Sequence, residues 1–346
     1  MKGPRHATFL VREPSTRLPP VDGGFGDMRL WVVSPCYRDV ASFLTLRTRI
    51  GEVMASAGPA GRVETQFVVV DDTAGRDHDI DQLKGLHDVR VIIPPFNLGH
   101  QRALVYGLRL VLPEVLDNDL IVTMDADGED RPEDLPHLLT ALVEAPEDRG
   151  TLCVARRTKR TESLKFRVMY VFFFAMFRTL TGTTVRSGNY AAYRGWLAKR
   201  MLTHPYFDLC YSSTLVGLDM EVTPVPCARG VRYAGQSRMN MLRLFMHGIR
   251  MLMPFIDRIA ARALTVFSVT FALGITLSLV LAGFRIFTDY AIPGWATFTL
   301  LGLLVLSFIA LGNFIVLFAV FSHSRGLSLA NVEHWDEESA RDLASD

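Results

Sequence analysis

Residues Asp119–Asp134 read DLIVTMDADGEDRPED, a short apolar run followed at once by a dense cluster of carboxylates. The run Leu120–Met124 is typical of a buried strand. Asp125 and Asp127 are therefore expected at its carboxyl end, where open α/β sheets place their ligand crevices. Hard oxygen ligands packed this closely suit Mg²⁺ or Mn²⁺ shared with substrate phosphates.

Acidic residues that follow a strand also have a plainer role, which is to cap the next helix. Pro132 is typical of the first turn of a helix, so Asp130 and Asp134 beside it are suited to capping alone. The sequence leaves this alternative open beside the metal site.

Apolar residues make up 49% of the 346 residues, and they concentrate near the C-terminus. Ala263–Phe284 and Tyr290–Ser322 contain no charged residue. Each is long enough to cross a bilayer, which takes about 20 apolar residues, and neither has the polar stripe of a domain helix. We predict two transmembrane helices within 262–322 and a C-terminal tail over 323–346. The formal net charge of +1 gives no basic field for nucleic acid.

Basic residues predict the orientation of these helices. Arginines accumulate before the first span and one follows the second, at Arg238, Arg243, Arg250, Arg258, Arg262 and Arg325. The positive-inside rule then predicts a multi-pass protein of the inner or plasma membrane whose N-terminal domain is cytoplasmic. Residues 1–27 resemble a disordered tail and not a signal peptide. The four cysteines lack the spacing of a zinc site or a disulfide framework.

Between the tail and the spans, short apolar runs alternate with stretches of helix length. The predicted strands are Leu30–Val33, Gln66–Val70, Val89–Ile93, Leu120–Met124 and Thr151–Ala155. This alternation predicts an α/β domain over 28–235, with a mostly parallel sheet covered on both faces.

Two segments mix basic and apolar residues. One is a predicted interfacial helix near 163–181, and the other is the juxtamembrane stretch 236–261, which has a basic amphipathic pattern. Both can lie in the plane of lipid headgroups. A core helix with solvated arginines is the alternative for each.

Four loops fall at the ends of predicted strands: Ser34–Asp39 (SPCYRD), Val70–Thr73 (VDDT), Asn97–Ala103 (NLGHQRA) and Asp125–Glu133 (DADGEDRPE). In this order they resemble the family 2 glycosyltransferases. With the C-terminal layout, the chain looks like the polyprenyl-phosphate glycosyltransferases of the dolichyl-phosphate mannose synthase and GtrB type. The resemblance implies a GT-A-type, Rossmann-like fold, a UDP- or GDP-linked sugar donor, Mg²⁺ or Mn²⁺, a polyprenyl phosphate acceptor in the membrane, and a place in cell-envelope glycan biosynthesis.

The resemblance also implies roles for single residues. The donor-binding residues would be Pro35, Tyr37, Asp39, Asp72, Asn97, Arg102, Asp125, Ala126, Arg232 and Arg238. The metal ligands would be Asp125, Asp127 and Glu129. One of Asp71 and Asp72 is expected only to close an Asx turn, and Asn97 is equally suited to capping a helix. The segment Ser187–Arg194 departs most from the family pattern, with Ala191 where arginine is usual.

A basic cluster follows the fifth predicted strand, at Arg156, Arg157, Lys159 and Arg160. Guanidinium groups bind phosphate through paired hydrogen bonds, so this cluster is suited to the phosphate of a lipid acceptor, although it could also attract anionic lipids. With Asp127, its three arginines are the predicted catalytic residues. The acceptor phosphate, with a second pKa near 6, is already ionised at neutral pH and needs no general base. The resemblance implies inversion at the anomeric carbon.

Two other functions remain open at this stage. Transfer to a hydroxyl of a glycolipid or polysaccharide would call for a carboxylate base, for which Asp208, Asp219 and Glu221 are candidates. A nonenzymatic membrane regulator that retains the fold is the other. The predicted helical hairpin could also pack between subunits of a homo-oligomer.

Overall fold

The computed structural model describes residues 28–57, 63–146, 150–157, 164–184, 187–217, 220–234, 241–287 and 294–323. The predicted tail 1–27, Lys159, Arg160, Asp219, Arg238 and the C-terminal residues from 324 onward lie outside the described residues.

Seven strands form one sheet within the described part of the chain. They are β1 (Arg29–Cys36), β2 (Glu64–Asp71), β3 (Val89–Ile92), β4 (Leu120–Thr123), β5 (Thr151–Arg157), β6 (Ser187–Arg194) and β7 (Glu221–Cys227). Their order across the sheet is β3-β2-β1-β4-β6-β5-β7. Neighbours are parallel except around β6, which is antiparallel to both β4 and β5. The predicted α/β class and mostly parallel sheet are confirmed, and the sheet is mixed.

Helices flank this sheet and follow it. In the described residues they are α1 (Val40–Ser56), α2 (His100–Val111), α3 (Leu135–Val143), α4 (Leu164–Thr181), α5 (Gly195–Met201), α6 (Tyr211–Gly217), α7 (Met241–Leu252), α8 (Ile256–Phe287) and α9 (Trp295–His323).

Alternate residues of the central strands fill two separate cores. On β1, Leu30 and Val32 pack into the core covered by α1 and α3, whereas Trp31 and Val33 pack into the core covered by α2, α5 and α6. All four side chains are at most 4% exposed. Because both faces are buried, these strands read as continuous apolar runs, and that is why they could be predicted.

The strands β6 and β7 were missed by the sequence prediction. The sequence of β6, SGNYAAYR, has small residues that pair with β4, Ala191 opposite Thr123 among them. β7 carries Pro224 and Pro226, which are tolerated because, in the described part of the sheet, it is an edge strand that pairs with β5 alone. Neither strand is a run of large apolar residues, so hydrophobicity alone did not reveal them.

The C-terminal helices attach to the domain through a small aromatic cluster. Phe177 of α4 and Phe255, just before α8, are 2% exposed, and their ring centroids lie 5.5 Å apart in an edge-on arrangement. The helices α8 and α9 pack against each other. Among the described residues, no helix combines the length and the apolar character that crossing a membrane requires. The structure does not confirm the two spans predicted within 262–322.

Candidate active site

The carboxyl ends of β1, β2 and β4 are tied together at one edge of the sheet. The Asp72 N–H donates to the carbonyl of Cys36 at 2.8 Å, and the Met124 N–H donates to the carbonyl of Val33 at 3.2 Å. The loops that follow these strands therefore start from fixed points. This edge is where ligands bind in open α/β sheets.

The loop after β4 carries most of the acidic cluster, and a second segment fixes its shape. Gly128 has a φ of +89°, a left-handed conformation that favours glycine. The Tyr233 N–H donates to the Asp127 carbonyl at 2.9 Å, and the Gly230 N–H donates to the Glu129 carbonyl at 2.9 Å. Residues 228–233 thus form a clasp that holds the backbone of Asp127 and Glu129.

The side chains of Asp127 and Glu129 converge on one guanidinium group. Arg232 Nη2 lies 2.5 Å from Asp127 Oδ2, and Arg232 Nε donates to Glu129 Oε1 at 3.2 Å. A second arginine, Arg229, donates to Glu129 Oε2 at 2.8 Å. Burial opposes ionisation of Glu129, but Arg229 and Arg232 outweigh it and lower the pKa of this carboxyl. Burial and the neighbouring Asp125 raise the pKa of Asp127.

This donor set fits a divalent cation. Asp127 and Glu129 both contact the positive charge of Arg232, and their oxygens are the hard ligands that Mg²⁺ and Mn²⁺ prefer. Within the described residues, no three acidic, histidine or cysteine side chains are grouped as a complete metal site. Magnesium in phosphate-handling sites commonly uses one or two carboxylates and takes its other ligands from water and the substrate.

Asp125 faces a different set of partners. Its Oδ1 lies 2.9 Å from His100 Nε2 and accepts from Asn189 Nδ2 at 3.2 Å. Burial opposes ionisation of Asp125, but His100 outweighs it and lowers the pKa of this carboxyl. Burial also lowers the pKa of His100, yet Asp125 outweighs burial, so the His100 pKa is raised. Asn189 is held by Gln101, whose Nε2 donates to Asn189 Oδ1 at 2.5 Å.

A fourth carboxylate, Asp130, is buried beneath the cluster. Its Oδ2 accepts the Asp125 N–H at 3.0 Å, and Arg157 Nη2 lies 3.5 Å from its Oδ1. Burial and the adjacent Asp125 raise the pKa of Asp130 well above its usual value. Asp130 shapes the loop from within and does not cap a helix.

The loops after β2 and before α2 are joined by Asp72. Its Oδ1 accepts the N–H groups of Leu98 and Gly99 at 2.7 and 3.1 Å, and Asn97 Nδ2 donates to its carbonyl at 2.5 Å. Asp71 closes the Asx turn, since its Oδ1 accepts the Thr73 N–H at 3.0 Å. The expected Asx turn is confirmed at Asp71.

The other predicted donor residues lie around this edge. Pro35 and Ala126 are buried, Tyr37 is exposed, and Asp39 precedes α1. Arg102 lies in the first turn of α2. None of these donor-binding roles is tested by the structure, so they stay predictions.

On the predicted acceptor side, Arg156 is exposed at the end of β5. Arg157, next to it, lies 3.7 Å from Glu129 Oε2 through its Nη2. The structure thus brings Arg157 beside the carboxylates of Glu129 and Asp130, and its role in acceptor binding stays a prediction.

The capping roles proposed as alternatives are wrong for three residues. Asp134 precedes α3 without a side-chain capping bond and accepts the Ala228 N–H, at 3.2 Å. The capping position of α2 is Gly99 and not Asn97. Asp130 holds the Asp125 backbone instead.

The two candidate bases that the structure describes, Asp208 and Glu221, are not grouped at this site. Asp208 is 7% exposed and pairs with Arg109, whose Nη1 lies 2.5 Å from its Oδ1. Glu221 is the first residue of β7 and lies at the amino end of that strand.

Sequence reasoning missed His100, Gln101, Asn189 and Arg229. His100 and Gln101 stand inside the quoted loop NLGHQRA, where they could have been noticed as polar residues at a strand end. Asn189 gave no signal, because its strand was not predicted.

Comparison with known proteins agrees with this geometry. Residues 31–200 match the family described as Glycosyl transferase family 2. The chain carries a family 2 glycosyltransferase domain. The predicted enzyme class, a glycosyltransferase, is confirmed.

Three relatives show how far the likeness extends. A dolichol-phosphate mannosyltransferase of Mycosarcoma maydis is 30% identical over 115 residues, which are 32% of this chain and 37% of that protein. An undecaprenyl-phosphate 4-deoxy-4-formamido-L-arabinose transferase of Shewanella sediminis is 29% identical over 140 residues, 39% of this chain and 38% of that protein. The uncharacterized glycosyltransferase YkcC of Bacillus subtilis is 25% identical over 285 residues, 79% of this chain and 82% of that protein. The chain thus spans well under half the length of the two named transferases.

Among solved structures, a glucosyl-3-phosphoglycerate synthase from Mycobacterium tuberculosis in complex with Mn²⁺, UDP and glucosyl-3-phosphoglycerate is 15% identical. The match covers 67% of this chain and 80% of that chain, with a TM-score of 0.45.

Proposed function

We propose that this glycosyltransferase moves a sugar from a UDP- or GDP-linked donor to a polyprenyl phosphate, with inversion and with the help of Mg²⁺ or Mn²⁺. The observation that carries the proposal is the convergence of Asp127 and Glu129 on one cation, the Arg232 guanidinium, at the ligand-binding edge of the sheet. A place that holds one cation between two carboxylates is suited to a divalent ion and the diphosphate attached to it.

In this proposal Asp127 and Glu129 hold the metal, and Asp125 contacts the ribose or a metal-bound water. When bound, the metal supplies Lewis acidity that stabilises the charge of the departing diphosphate. Arg229 and Arg232, which contact these carboxylates, are placed to turn to the diphosphate oxygens. Asp39, Asp72 and the loop at Asn97 would hold the nucleoside.

The acceptor class is supported by the relatives. Two of them are named for transfer involving dolichol phosphate or undecaprenyl phosphate. A phosphate monoester attacks without a general base, because it is already ionised near neutral pH. This agrees with Asp208, the buried candidate base, being held in an ion pair with Arg109.

Such an acceptor would be reached from a membrane, and we include a membrane location in the proposal. Large apolar side chains on α8 and α9 are exposed, with Leu273 65% and Phe298 80% exposed. A lipid phase would cover such side chains.

The test is direct transfer by the purified full chain. The protein is incubated with Mg²⁺ or Mn²⁺, a panel of UDP- and GDP-sugars and undecaprenyl phosphate, and the lipid product is detected by mass spectrometry. We expect one donor to give a glycosylated lipid phosphate, and a chelator to abolish it. Glycolipids offered as acceptors in parallel reactions test the hydroxyl alternative.

The Asp127→Asn variant should lose transfer while keeping its fold, because the amide cannot replace the charged metal ligand. Asp81→Asn is the matched control, since Asp81 is exposed and pairs only with Lys84 among the described residues. Full transfer by Asp127→Asn, transfer that survives the chelator, or product on glycolipid hydroxyls alone would each contradict the proposal.

A further inference from the structure

The side-chain amides of Gln101 and Asn189 connect the start of α6 to Asp125. The backbone N–H of Ser212 donates to Gln101 Oε1 at 2.9 Å. Gln101 Nε2 donates to Asn189 Oδ1 at 2.5 Å, and Asn189 Nδ2 donates to Asp125 Oδ1 at 3.2 Å. Asn189 Nδ2 also lies 2.5 Å from His100 Nε2. We call the chain of bonds from Ser212 through Gln101 and Asn189 to Asp125 the amide relay.

The two ends of the amide relay determine the orientation of both amides. The oxygen of a side-chain amide only accepts hydrogen bonds and its nitrogen only donates them. Because the Ser212 N–H can only donate, Gln101 presents its oxygen to Ser212 and its nitrogen to Asn189; Cys210 Sγ donates to the same oxygen at 3.5 Å. At the other end, an ionised carboxylate has acceptors alone, so Asp125 requires the NH₂ group of Asn189.

The backbone of Asn189 is held without Gln101. Asn189 lies in β6, and its carbonyl accepts from Thr123 Oγ1 at 2.5 Å. The Tyr211 hydroxyl lies 2.8 Å from Thr123 Oγ1, and both of these side chains are fully buried. The terminal torsion of an asparagine side chain is broad and roughly two-fold. Rotation of the Asn189 amide is therefore the freedom that Gln101 restricts.

We propose that Gln101 is a positioning residue for glycosyl transfer, which holds the Asn189 amide with its NH₂ group toward Asp125. The inference rests on the proposed function for the role of Asp125, which is to contact the donor ribose or a metal-bound water. If the amide turned over, its oxygen would face the Asp125 carboxylate, and the repulsion between the oxygens would displace that carboxylate. The loss falls on donor binding, because Asp125 is assigned to the donor.

The variant Gln101→Glu reverses the orientation of the Asn189 amide with little change in shape. The new carboxylate still accepts the Ser212 N–H, but it cannot donate to Asn189 Oδ1, so the Asn189 amide turns its NH₂ group toward it. Initial rates of the full chain with Mn²⁺, undecaprenyl phosphate and the sugar nucleotide that gives product measure the effect. The donor KM should rise about 10- to 100-fold, the effect of one lost charge-assisted hydrogen bond. The acceptor KM should stay within about twofold of its original value.

Gln82→Glu is the matched control for this change. Gln82 is an exposed glutamine whose amide donates to Asp79 at 3.3 Å, away from the amide relay. The same chemical substitution there should change neither KM.

A double-mutant cycle separates the orientation of the amide from the added charge. In the Asn189→Ala background no amide is left to turn, so Gln101→Glu should raise the donor KM by at most about threefold. The same rise in both backgrounds would assign the effect to charge or to folding and would overturn the proposal. So would a fall in kcat with both KM values unchanged, which is the result of losing folded protein.

A second variant, Asn189→Asp, tests the amide relay if Gln101→Glu folds poorly. Its carboxylate accepts from Gln101 but places an oxygen against Asp125 in either orientation, so the donor KM should again rise about 10-fold or more. An unchanged donor KM in Asn189→Asp would overturn the proposal.

Equilibrium binding distinguishes this inference from the proposed function. If the protein transfers sugar to no polyprenyl phosphate, the proposed function fails, and calorimetry of UDP and GDP binding with Mn²⁺ still tests the amide relay. The nucleotide Kd should then rise about 10-fold or more in Gln101→Glu and stay unchanged in Gln82→Glu. An unchanged Kd in Gln101→Glu, or wild-type protein that binds neither nucleotide, would overturn the inference as well.

Discussion

Replacing Gly128 by alanine tests whether the loop that carries Asp127 and Glu129 is held in one shape. An alanine forced to adopt the Gly128 φ of +89° would destabilise the folded state by about 1–2 kcal/mol. The added Cβ would also lie 2.8 Å from the ring of Tyr233, a contact that forces the ring or the loop to move, at about 1–3 kcal/mol. We expect a loss of roughly 2–5 kcal/mol in the free energy of unfolding, or about 4–20 °C in Tm.

Two other glycines separate these contributions. Gly75 has a φ of +77°, but a Cβ there would meet only Ile93 Cγ2 at an ordinary 3.7 Å, so Gly75→Ala should lose only about 1–2 kcal/mol. Gly51 lies inside α1 with nothing within 4 Å of an added Cβ. Gly51→Ala should therefore stabilise the protein by about 0.5–1 kcal/mol.

Thermal unfolding of the three variants, followed by circular dichroism, gives the ranking. The transfer assay should show that Gly128→Ala loses activity beyond its loss of stability, because the proposed metal ligands, Asp127 and Glu129, shift with the loop. Adding Tyr233→Ala to Gly128→Ala should recover the part of the loss that comes from the ring contact. If Gly128→Ala is no less stable than Gly75→Ala, the clasp formed by residues 228–233 does not hold the loop as described.

Three other predictions follow from charges in and near the site. Arg232→Gln should bind Mn²⁺ more tightly than the wild type in the absence of donor, as measured by calorimetry, because a guanidinium no longer competes for Asp127. Its donor KM, measured from initial rates, should rise at least about tenfold. In metal-free protein, the raised pKa of Asp130 means that the native state keeps a proton that the unfolded chain has lost, so stability falls as the pH rises from 3.8 towards about 7. Asp130→Asn should remove this part of the slope in urea unfolding, and an unchanged slope would exclude Asp130 as its source. Arg109→Ala should cost about 3–5 kcal/mol by removing the arginine that pairs with the buried Asp208, whereas Arg90→Ala, in an exposed pair with Glu114, should cost less than about 1 kcal/mol.

The part of the fold that could be predicted is the part whose strands are buried on both faces. Val68, Val69 and Val70 are all fully buried because α1 and α2 cover opposite sides of β2, and such a run is visible in the sequence. β6 could not be found in this way. Its Ala191 and Ala192 are also fully buried, but they are small residues without the branched apolar side chains that mark a strand in the sequence.

The candidate site divides along the same line. The carboxylates of one loop could be predicted because they directly follow a strand. Arg232 could be predicted because it lies just before a predicted helix. The partners of Asp125 could not, since Asn189 is 64 residues away in sequence and reaches it only through the antiparallel pairing of β6 with β4. His100 was visible in its loop, but nothing in the sequence indicated that it contacts Asp125.

The charges of the site connect metal binding to donor binding. Without ligands, basic groups contact the carboxylates directly and balance their charge. The carboxylates are Asp125, Asp127, Glu129 and Asp130, and the basic groups are His100, Arg157, Arg229 and Arg232. A divalent ion that binds alone must displace Arg232 and leave that guanidinium without a carboxylate. When the donor diphosphate binds with the metal, the displaced arginine gains phosphate oxygens, so the charges stay balanced. The two ligands should therefore strengthen each other's binding by the same factor, because coupling between two sites is reciprocal.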